Sequence, residues 1–439
     1  MGEHKQRSFL GAVILMVGLG ASSGIFHKTN FIVEATSGNV LQGVIALLIG
    51  GALVIFASIA LNQLFATTQH GGLISVFETH TNKRFACGYA WFNGFIATPA
   101  ITAVLAWVAG IYTLNIFGIE PSESWLTVLI GIGYVIAIVL INVISYKFAH
   151  ISQKVTTIIK YLPLIVLGIM ALIYGDPKAF SIPSPQSGHI TTYLGVDNGW
   201  FSALAPVAFC YESWWVTCAL AKHSGNKHTN KAVVASNLII TAIYVLYFVG
   251  ISSYGTSIAI LGNNHLNSVV SDIFGNIFGK IIMAFVLIAM LGSVDTLVMG
   301  LIHMPDIMAG KGYVGGVFAD SDDNLDNTSV FGAIFATISV SVWIVLHNLS
   351  EELEIFESSV SVGTDFAEIA MIASFSLLIV LYIKVIVQYK KGIITSVFAG
   401  IVCPVVAILI TLLFVAGAIY NNALPFTICF AICALVFVA

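Results

Sequence analysis

Glu212 stands in the run from Leu204 to Trp215 (LAPVAFCYESWW), an apolar stretch that otherwise has the makings of a membrane-spanning helix. A carboxyl near a bilayer centre costs roughly 2.5–3.5 kcal/mol on insertion scales, so such a residue usually faces a cavity and serves a function. Pro206, six residues upstream, removes a helical hydrogen bond and predicts an interrupted helix here. An acid on a broken helix at mid-membrane depth reads as a binding site in a transporter. A Pro-kinked helix whose glutamate pairs with a neighbour is the plainer alternative. A second interruption is predicted in the first apolar run, where Gly18, Gly20, Ser22, Ser23 and Gly24 crowd together.

The chemistry open to such a pair of breaks is recognition of a small zwitterion. At the first, the backbone N–H groups of Ser22, Ser23 and Gly24 lose their helical partners and lie at the positive end of a half-helix, a place for a carboxylate. Small side chains let a ligand approach the backbone, although glycine and serine also serve plain tight helix packing. At the second, freed carbonyls around Val207 and Phe209 accept hydrogen bonds from an ammonium group. Trp214 and Trp215 follow, either lining and closing the pathway or facing lipid at the interface. Four further ionisable groups lie in apolar surroundings. Lys160 is seven residues after Gln153 and deep in its span, either acting there or snorkelling to the near boundary. Asp295 either pairs with Lys160 or faces a ligand and favours a basic group. Asp365 and Glu368, three apart, share a helical face and read as vestibule charges.

The elements that must hold these residues are transmembrane helices. The chain has 439 residues, 58% of them hydrophobic and 9% charged, with a mean hydropathy of +0.97. That balance excludes a soluble fold and makes this an all-α polytopic membrane protein. Apolar windows fall at about 8–36, 40–66, 86–115, 124–145, 151–174, 199–221, 231–257, 272–302, 330–348, 361–386, 392–417 and 423–439, predicting twelve spans. Basic residues 1–7 lead into the first without a small-residue cleavage site, so it reads as an uncleaved span. The last reaches Ala439 without a polar tail, which predicts a short or truncated C-terminus. Cys87, Cys210, Cys218, Cys403, Cys429 and Cys433 lie in or beside apolar runs without metal-ligand spacing and read as small buried hydrophobes.

Charge sets the predicted orientation. With the N-terminus in the cytoplasm, the inner segments carry Lys5, Arg7, Lys83, Arg84, Lys147, Lys154, Lys222, Lys227, Lys311, Lys390 and Lys391. The outer segments carry Lys28, Lys178 and Lys280, against Glu120, Glu123, Asp176, Asp197 and the acids Glu351, Glu352, Glu354 and Glu357. Reversal would invert this positive-inside bias. Residues 70–84 are amphipathic and are expected along the inner face, and the aspartate-rich 320–327 is expected to be a solvated loop. The interrupted spans are the first and the sixth. An offset of five turns the second copy upside down, so the chain is read as a 5+5 inverted repeat with both breaks meeting at the midplane. The first repeat is 8–174 and the inverted second 199–386, with 391–439 forming helices eleven and twelve of one transporter domain, 1–439.

Several short motifs in order resemble those of the amino acid–polyamine–organocation superfamily of permeases. Ser22-Ser23-Gly24-Ile25-Phe26 is similar to the Gly-Ser-Gly-(Ile/Val)-Phe break of span one. Gly71-Gly72 and then Gly88-Tyr89 resemble the pattern around span three. Phe209-Cys210-Tyr211-Glu212-Ser213 is similar to the Phe-x-Gly-(Phe/Val)-Glu-Ser segment of span six. Leu291-Gly292-Ser293 and Met308-Ala309-Gly310-Lys311-Gly312 resemble the span-eight signature, and Ser358-Ser359-Val360-Ser361-Val362 the opening of span ten in arginine/agmatine exchangers. Together they cover most of 8–416. Departures are Ser22 and Cys210 at glycine positions, and Lys222-His223-Ser224-Gly225-Asn226-Lys227, which lacks the family's proline.

The resemblance implies a LeuT-like fold, alternating access and a substrate held at Ser22, Ser23, Gly24, Ile25, Val207, Phe209, Cys210 and Glu212. It implies that Glu212 is a protonation site or gate support, and that Cys210 narrows the site. It also implies that the Lys160 ammonium stands where sodium-coupled relatives place sodium, between spans one, five and eight. The matching position for Asp295 is glycine in the exchangers. Lys160, Glu212, Asp295, Trp214, Trp215 and Phe95 are the predicted coupling and gating residues. The expected activity is sodium-independent amino acid transport across the plasma membrane, by proton symport or by exchange. A cationic amino acid or polyamine antiporter is the alternative. The expected partners are an amino acid or related amine, a proton and the lipid bilayer, with no cofactor, metal or nucleic acid. An enzyme would need a nucleophile–base pair or metal ligands within the spans, and neither His303 nor His347 has a partner at ligand spacing. No tandem filter-like loop marks a channel.

Overall fold

The computed structural model describes residues 9–20, 22–68, 72–119, 124–144, 156, 159–175, 192–193, 196–197, 199–212, 214–218, 229–254, 265–315, 330–352, 365–421 and 423–438. Several predicted features therefore lie outside the described residues: Gly71, Gln153, Ser213, the run Lys222 to Lys227, the aspartates of 320–327, and Ser358 to Val362.

The described chain is helical apart from a two-residue antiparallel pairing, Thr192–Tyr193 with Val196–Asp197. The first apolar run divides into α1 (Phe9–Gly20) and α2 (Ile25–Ala35). Then come α3 (Val40–Thr67), the short α4 (Leu73–His80) and α5 (Lys83–Phe92). A π-helical turn, Asn93–Ala97, joins α5 to α6 (Thr98–Phe117). After α7 (Ser124–Ile144) and α8 (Tyr161–Tyr174), the sixth run is broken into α9 (Gly199–Ser202), α10 (Leu204–Cys210) and a helical piece at 215–218. The remainder is α11 (Thr229–Tyr254), α12 (His265–Ile302), α13 (Met304–Gly310), α14 (Val330–Glu352), α15 (Phe366–Lys390), α16 (Cys403–Asn421) and α17 (Ala423–Val438). Eight of the described helices are long and apolar enough to cross a membrane, and shorter apolar helices include Tyr161–Tyr174 and Phe426–Val438. Apolar side chains face both ways. Leu129, Ile144, Ile173 and Leu409 are exposed, whereas the core runs through α3, α6, α10, α11 and α15. Exposed leucine and isoleucine cost nothing against lipid, which is why these helices show no polar face.

Helices without polar glue pack by close approach. Gly168 on α8 and Gly250 on α11 meet backbone to backbone: a Cβ on Gly250 would lie 2.3 Å from Gly168 O and 2.8 Å from its Cα. Small residues at such a crossing let dispersion act over the whole interface. The Ile25–Ala35 half-helix packs across to α10 and α11, so the pieces of both broken runs lie at the centre. The amphipathic 70–84 stretch becomes α4, whose Leu73–Phe77 face is buried. His80 pins its end, sharing a hydrogen bond with Gln388 of α15 at 2.9 Å and one with Leu64 O of α3 at 3.2 Å.

The Pro206 expectation is corrected in detail. Pro206 lies in the first turn of α10, where its missing N–H is no loss within that helix. The carbonyl it leaves unmatched, Ser202 O, accepts from the Asn421 side chain at 2.8 Å. The interruption with consequences comes later, at Tyr211 and Glu212. Gly250→Val should force α8 and α11 apart, at a cost of about 1–3 kcal/mol for overpacking. The expected result is a lower melting temperature of the purified protein, read by size-exclusion after heating.

Candidate functional site

The two breaks lie against each other. Gly24 opens α2 directly beneath the Phe209 ring; a Cβ there would stand 2.7 Å from Cδ1 of that ring. Ser22 Oγ donates to Glu212 Oε1 at 2.9 Å, a bond across 190 residues that ties the first break to the second. The same oxygen accepts from Gly24 N at 3.0 Å. Tyr244 of α11 holds the backbone of Ser22 from both sides: Ser22 N donates to its hydroxyl at 2.7 Å, and the hydroxyl donates to Ser22 O at 2.9 Å. Tyr161 donates its hydroxyl to Val17 O near the end of α1. The expectation of three open N–H groups is thus revised. Ser22 N and Gly24 N already have partners, whereas Ser23 Oγ is buried without a hydrogen-bond partner.

On the opposite side, α10 stops at Cys210, so the carbonyls of its last turn lie at the negative end of a half-helix. Cys210 turns its thiol back onto Pro206 O at 3.3 Å. Tyr211 then anchors to Leu47 O of α3 at 3.0 Å, and Glu212, 5% exposed, leaves the helix toward Ser22. Ile25, Val207, Phe209 and Cys210 are all fully buried here. Lys160, 6% exposed at the head of α8, lies close enough to Glu212 for their charges to interact. Snorkelling to the boundary is thereby replaced by burial at the break.

A cavity of about 250 Å³ reaches Glu212 from the α4 side. Its polar lining includes Asn93 and Thr98 beside the π-turn, Thr296 of α12 and Ser374 of α15, with Trp214, Trp215, Leu297 and Phe375 as apolar walls. Trp214 is 2% exposed and Trp215 is half-buried, so neither faces lipid as a free ring. Residues of both α4 and α13 border it. These two helices are joined where Lys311 Nζ meets Glu78 Oε2 at 2.5 Å, and that hydrogen bond holds the Glu78 carboxyl below the usual range.

Two predicted residues stand apart. Asp295 accepts from Asn142 Nδ2 of α7 at 2.8 Å and forms no ion pair with Lys160. Phe95 stacks on Trp91 with ring centroids 4.7 Å apart and touches Phe335, away from both breaks.

The sequence reading also misplaced three charges. Lys28, assigned to an outer segment, is 1% exposed within α2, with its Nζ 2.7 Å from Asp365 Oδ2 and 2.6 Å from Glu368 Oε1. The two acids are buried partners and not vestibule charges. The same Nζ lies 5.1 Å from the centroid of Phe209, so Phe209 sits between Gly24 and the triad. The signal was available: a lysine inside an apolar window calls for a partner by the rule applied to Glu212.

With this geometry, comparison with known proteins is decisive for family. A family model described as "Amino acid permease" matches residues 8–439. The chain belongs to the amino acid permease family. A permease relative, the serine/threonine exchanger SteT of Bacillus subtilis (strain 168), is 27% identical over 317 residues, spanning 71% of this chain and 69% of SteT. An uncharacterized protein of Mycoplasma pneumoniae (strain ATCC 29342 / M129 / Subtype 1) is 22% identical over 293 residues, 58% of this chain and 52% of that protein. The crystal structure of MhsT in complex with L-phenylalanine superposes with a TM-score of 0.60 at 15% identity, covering 94% of this chain and all of MhsT. The permease thus has the LeuT-like fold with discontinuous first and sixth helices, and is a multi-pass membrane transporter, not an enzyme.

Tyr244 was invisible to sequence reasoning, since one tyrosine in an apolar helix carries no signal. Tyr244→Phe deletes both bonds to Ser22 and leaves its buried backbone groups unmatched, at a cost of about 1–3 kcal/mol. A corresponding drop in melting temperature is expected; an unchanged value would show that the break is held by other contacts.

Proposed function

We propose that this permease carries small neutral amino acids across the plasma membrane by alternating access, independent of sodium and with its N-terminus in the cytoplasm. The carrying observation is the meeting of two half-helix ends at the Ser22–Glu212 bond, at the head of a largely apolar cavity with a few polar side chains in its wall. A zwitterion placed there meets the Ser23 hydroxyl and the start of α2 with its carboxylate, and the end of α10 with its ammonium. Its side chain points toward Asn93, Thr98, Thr296 and Ser374, which suit a hydroxyl or short polar group. The exchange activity named for SteT supports exchange as the mode here, with proton symport as the alternative.

Lys160 carries the sodium-independence of this reading. A buried ammonium beside the first break supplies the positive charge that would otherwise come from an ion, and it sits within electrostatic reach of Glu212. A proton moving onto or off this pair changes the charge at the break, which is how coupling would act. The 5+5 arrangement is proposed with repeats 8–174 and 199–386, and 391–439 outside the core.

Glu212 on the cavity wall is the one observation favouring the cationic amino acid or polyamine antiporter. Against it, Asp295 is taken by Asn142, and Asp365 and Glu368 by Lys28. Among the described acids, none but Glu212 lines the cavity, and it already serves Ser22 and Lys160.

L-serine and L-threonine are expected to raise the melting temperature of the purified protein, and arginine and putrescine to leave it unchanged; the reverse ranking would favour the antiporter. In proteoliposomes, Lys160→Ala is expected to lower counterflow of labelled L-serine about tenfold or more, or to flatten its pH dependence, with expression intact. Normal transport by that variant at every pH would remove Lys160 from the coupling step.

A further inference from the structure

A second cavity lies where α5, α13 and α14 meet. Its volume is about 100 Å³, and every residue lining it is apolar. Trp91 stacks on Phe95 with ring centroids 4.7 Å apart and 12° between the planes, and Phe335 stands edge-on to Phe95 at 5.0 Å. The buried Met304 and Met308 line its inner side. Trp343 of α14 donates to Phe95 O at 2.9 Å and so fixes the π-turn that carries one wall. Phe95 and Phe331 are 38% and 43% exposed, so the groove opens outward, toward lipid. A preformed slot of four aromatic rings and two methionines, the most adaptable of apolar side chains, discriminates among acyl chains in a way that a flat helix face does not.

Charge decides the occupant. Lys83 and Arg84 open α5 and are exposed, at the face proposed above as cytoplasmic. Lys83 Nζ lies 5.9 Å from the ring centroid of Tyr313, the residue before Val314, which lines the groove. Arg84 stands seven residues before Trp91 and eleven before Phe95, a spacing that puts all three on one helical stripe. The rise from Arg84 to Trp91 is about 10 Å. The headgroup layer of one leaflet is roughly 5–8 Å thick, so a phosphate at Arg84 sets its acyl chain level with the aromatic pair. Two acids stand near. Glu78 is ion-paired with Lys311 and feels the Lys83 charge, and Asp306 lies beside His303. Neither forms an ion pair with Lys83 or Arg84, so the rim keeps a positive balance, to which the start of α5 adds. Basic pockets between membrane helices on the cytoplasmic side suit anionic headgroups. We propose that this groove binds one anionic phospholipid, its acyl chain between Trp91, Phe95, Phe331 and Phe335 and its phosphate at Lys83 and Arg84. The lipid would also act on the transport pathway. Asn93 and Phe95, two residues apart on the π-turn, line the inner cavity and the groove respectively, and Met304 lines both. The π-turn and α13 are thus a shared wall, which a seated chain braces from behind.

The site stands whatever the substrate, and its test needs none. The full chain is placed in nanodiscs of phosphatidylcholine holding a trace of photoreactive lipid, either phosphatidylglycerol or phosphatidylcholine with a diazirine at mid-chain. Labelled peptides are then mapped by mass spectrometry. Phosphatidylglycerol is expected to label residues 91–95, 304–314 and 331–335 about fivefold or more above phosphatidylcholine. On α16, where Leu409 and Leu412 are exposed without a basic rim, the two lipids should label equally. Unlabelled phosphatidylglycerol should compete at the groove, and glycerol phosphate, which has the headgroup chemistry without the chain, should not. Lys83→Gln combined with Arg84→Gln should bring the groove ratio to about one while the protein stays monodisperse. Equal labelling of the groove by the two lipids, or the same preference on α16, overturns the proposal, even if the double variant fails to fold. So does competition by glycerol phosphate alone, or a preference that survives in the double variant.

Discussion

A helix that stops inside an apolar slab leaves backbone donors and acceptors with no water to receive them, and this structure does so twice. Its organisation follows from how those groups are met. Tyr244 takes both backbone groups of Ser22, Ser22 Oγ takes Gly24 N and gives to Glu212, and Asn421 takes the carbonyl that Pro206 leaves at Ser202. Tyr244 and Asn421 come from α11 and α16, and Ser22 and Glu212 from the breaks themselves. The breaks are therefore not weak points in two independent spans but one joint, assembled from α1, α2, α10, α11 and α16. Among the described residues of that joint, the Ser23 hydroxyl remains buried and unmatched.

This shared joint also explains why α10 ends where it does. No glycine or proline stands between Val207 and Glu212, and local propensity would let the helix continue. Tyr211 is drawn to Leu47 O and Glu212 to Ser22, and the helix cannot serve both while keeping its next turn. Tertiary contacts set the boundary. The first break differs: Gly24 is required because the Phe209 ring occupies the space of a Cβ, so there the sequence itself dictates the geometry.

That contrast marks what could be read from the chain alone. The fold was legible because apolar windows, the crowding of small residues at 18–24 and the lone acid at Glu212 are local signals with a period or a cost attached. The family resemblance put Lys160 among spans one, five and eight, but its closeness to Glu212 was not legible. The long-range partners were not legible: Tyr244, Asn142 and Asn421 are single polar residues in apolar helices, and their roles depend on which helix faces which. Lys28 is the instructive error. Topology rules tally lysines by position along the chain and so assign it to an outer segment, although its neighbours Phe26 and Phe31 place it within a span. Phe95 failed for the opposite reason, as an aromatic on the π-turn whose ring faces Trp91 while the backbone of that turn borders the cavity.

The same α2 half-helix connects the joint with the buried triad. Four residues separate Gly24 from Lys28, about one turn, so the end that meets Phe209 and the charge that meets Asp365 and Glu368 move as one rigid piece. Phe209 touches both, lying over Gly24 and facing the Lys28 ammonium at 5.1 Å. Any rigid tilt of α2 that moves Lys28 against Asp365 and Glu368 also moves Gly24 along the Phe209 ring and so alters the space beside Ser23, because the two contacts are one turn apart on the same half-helix.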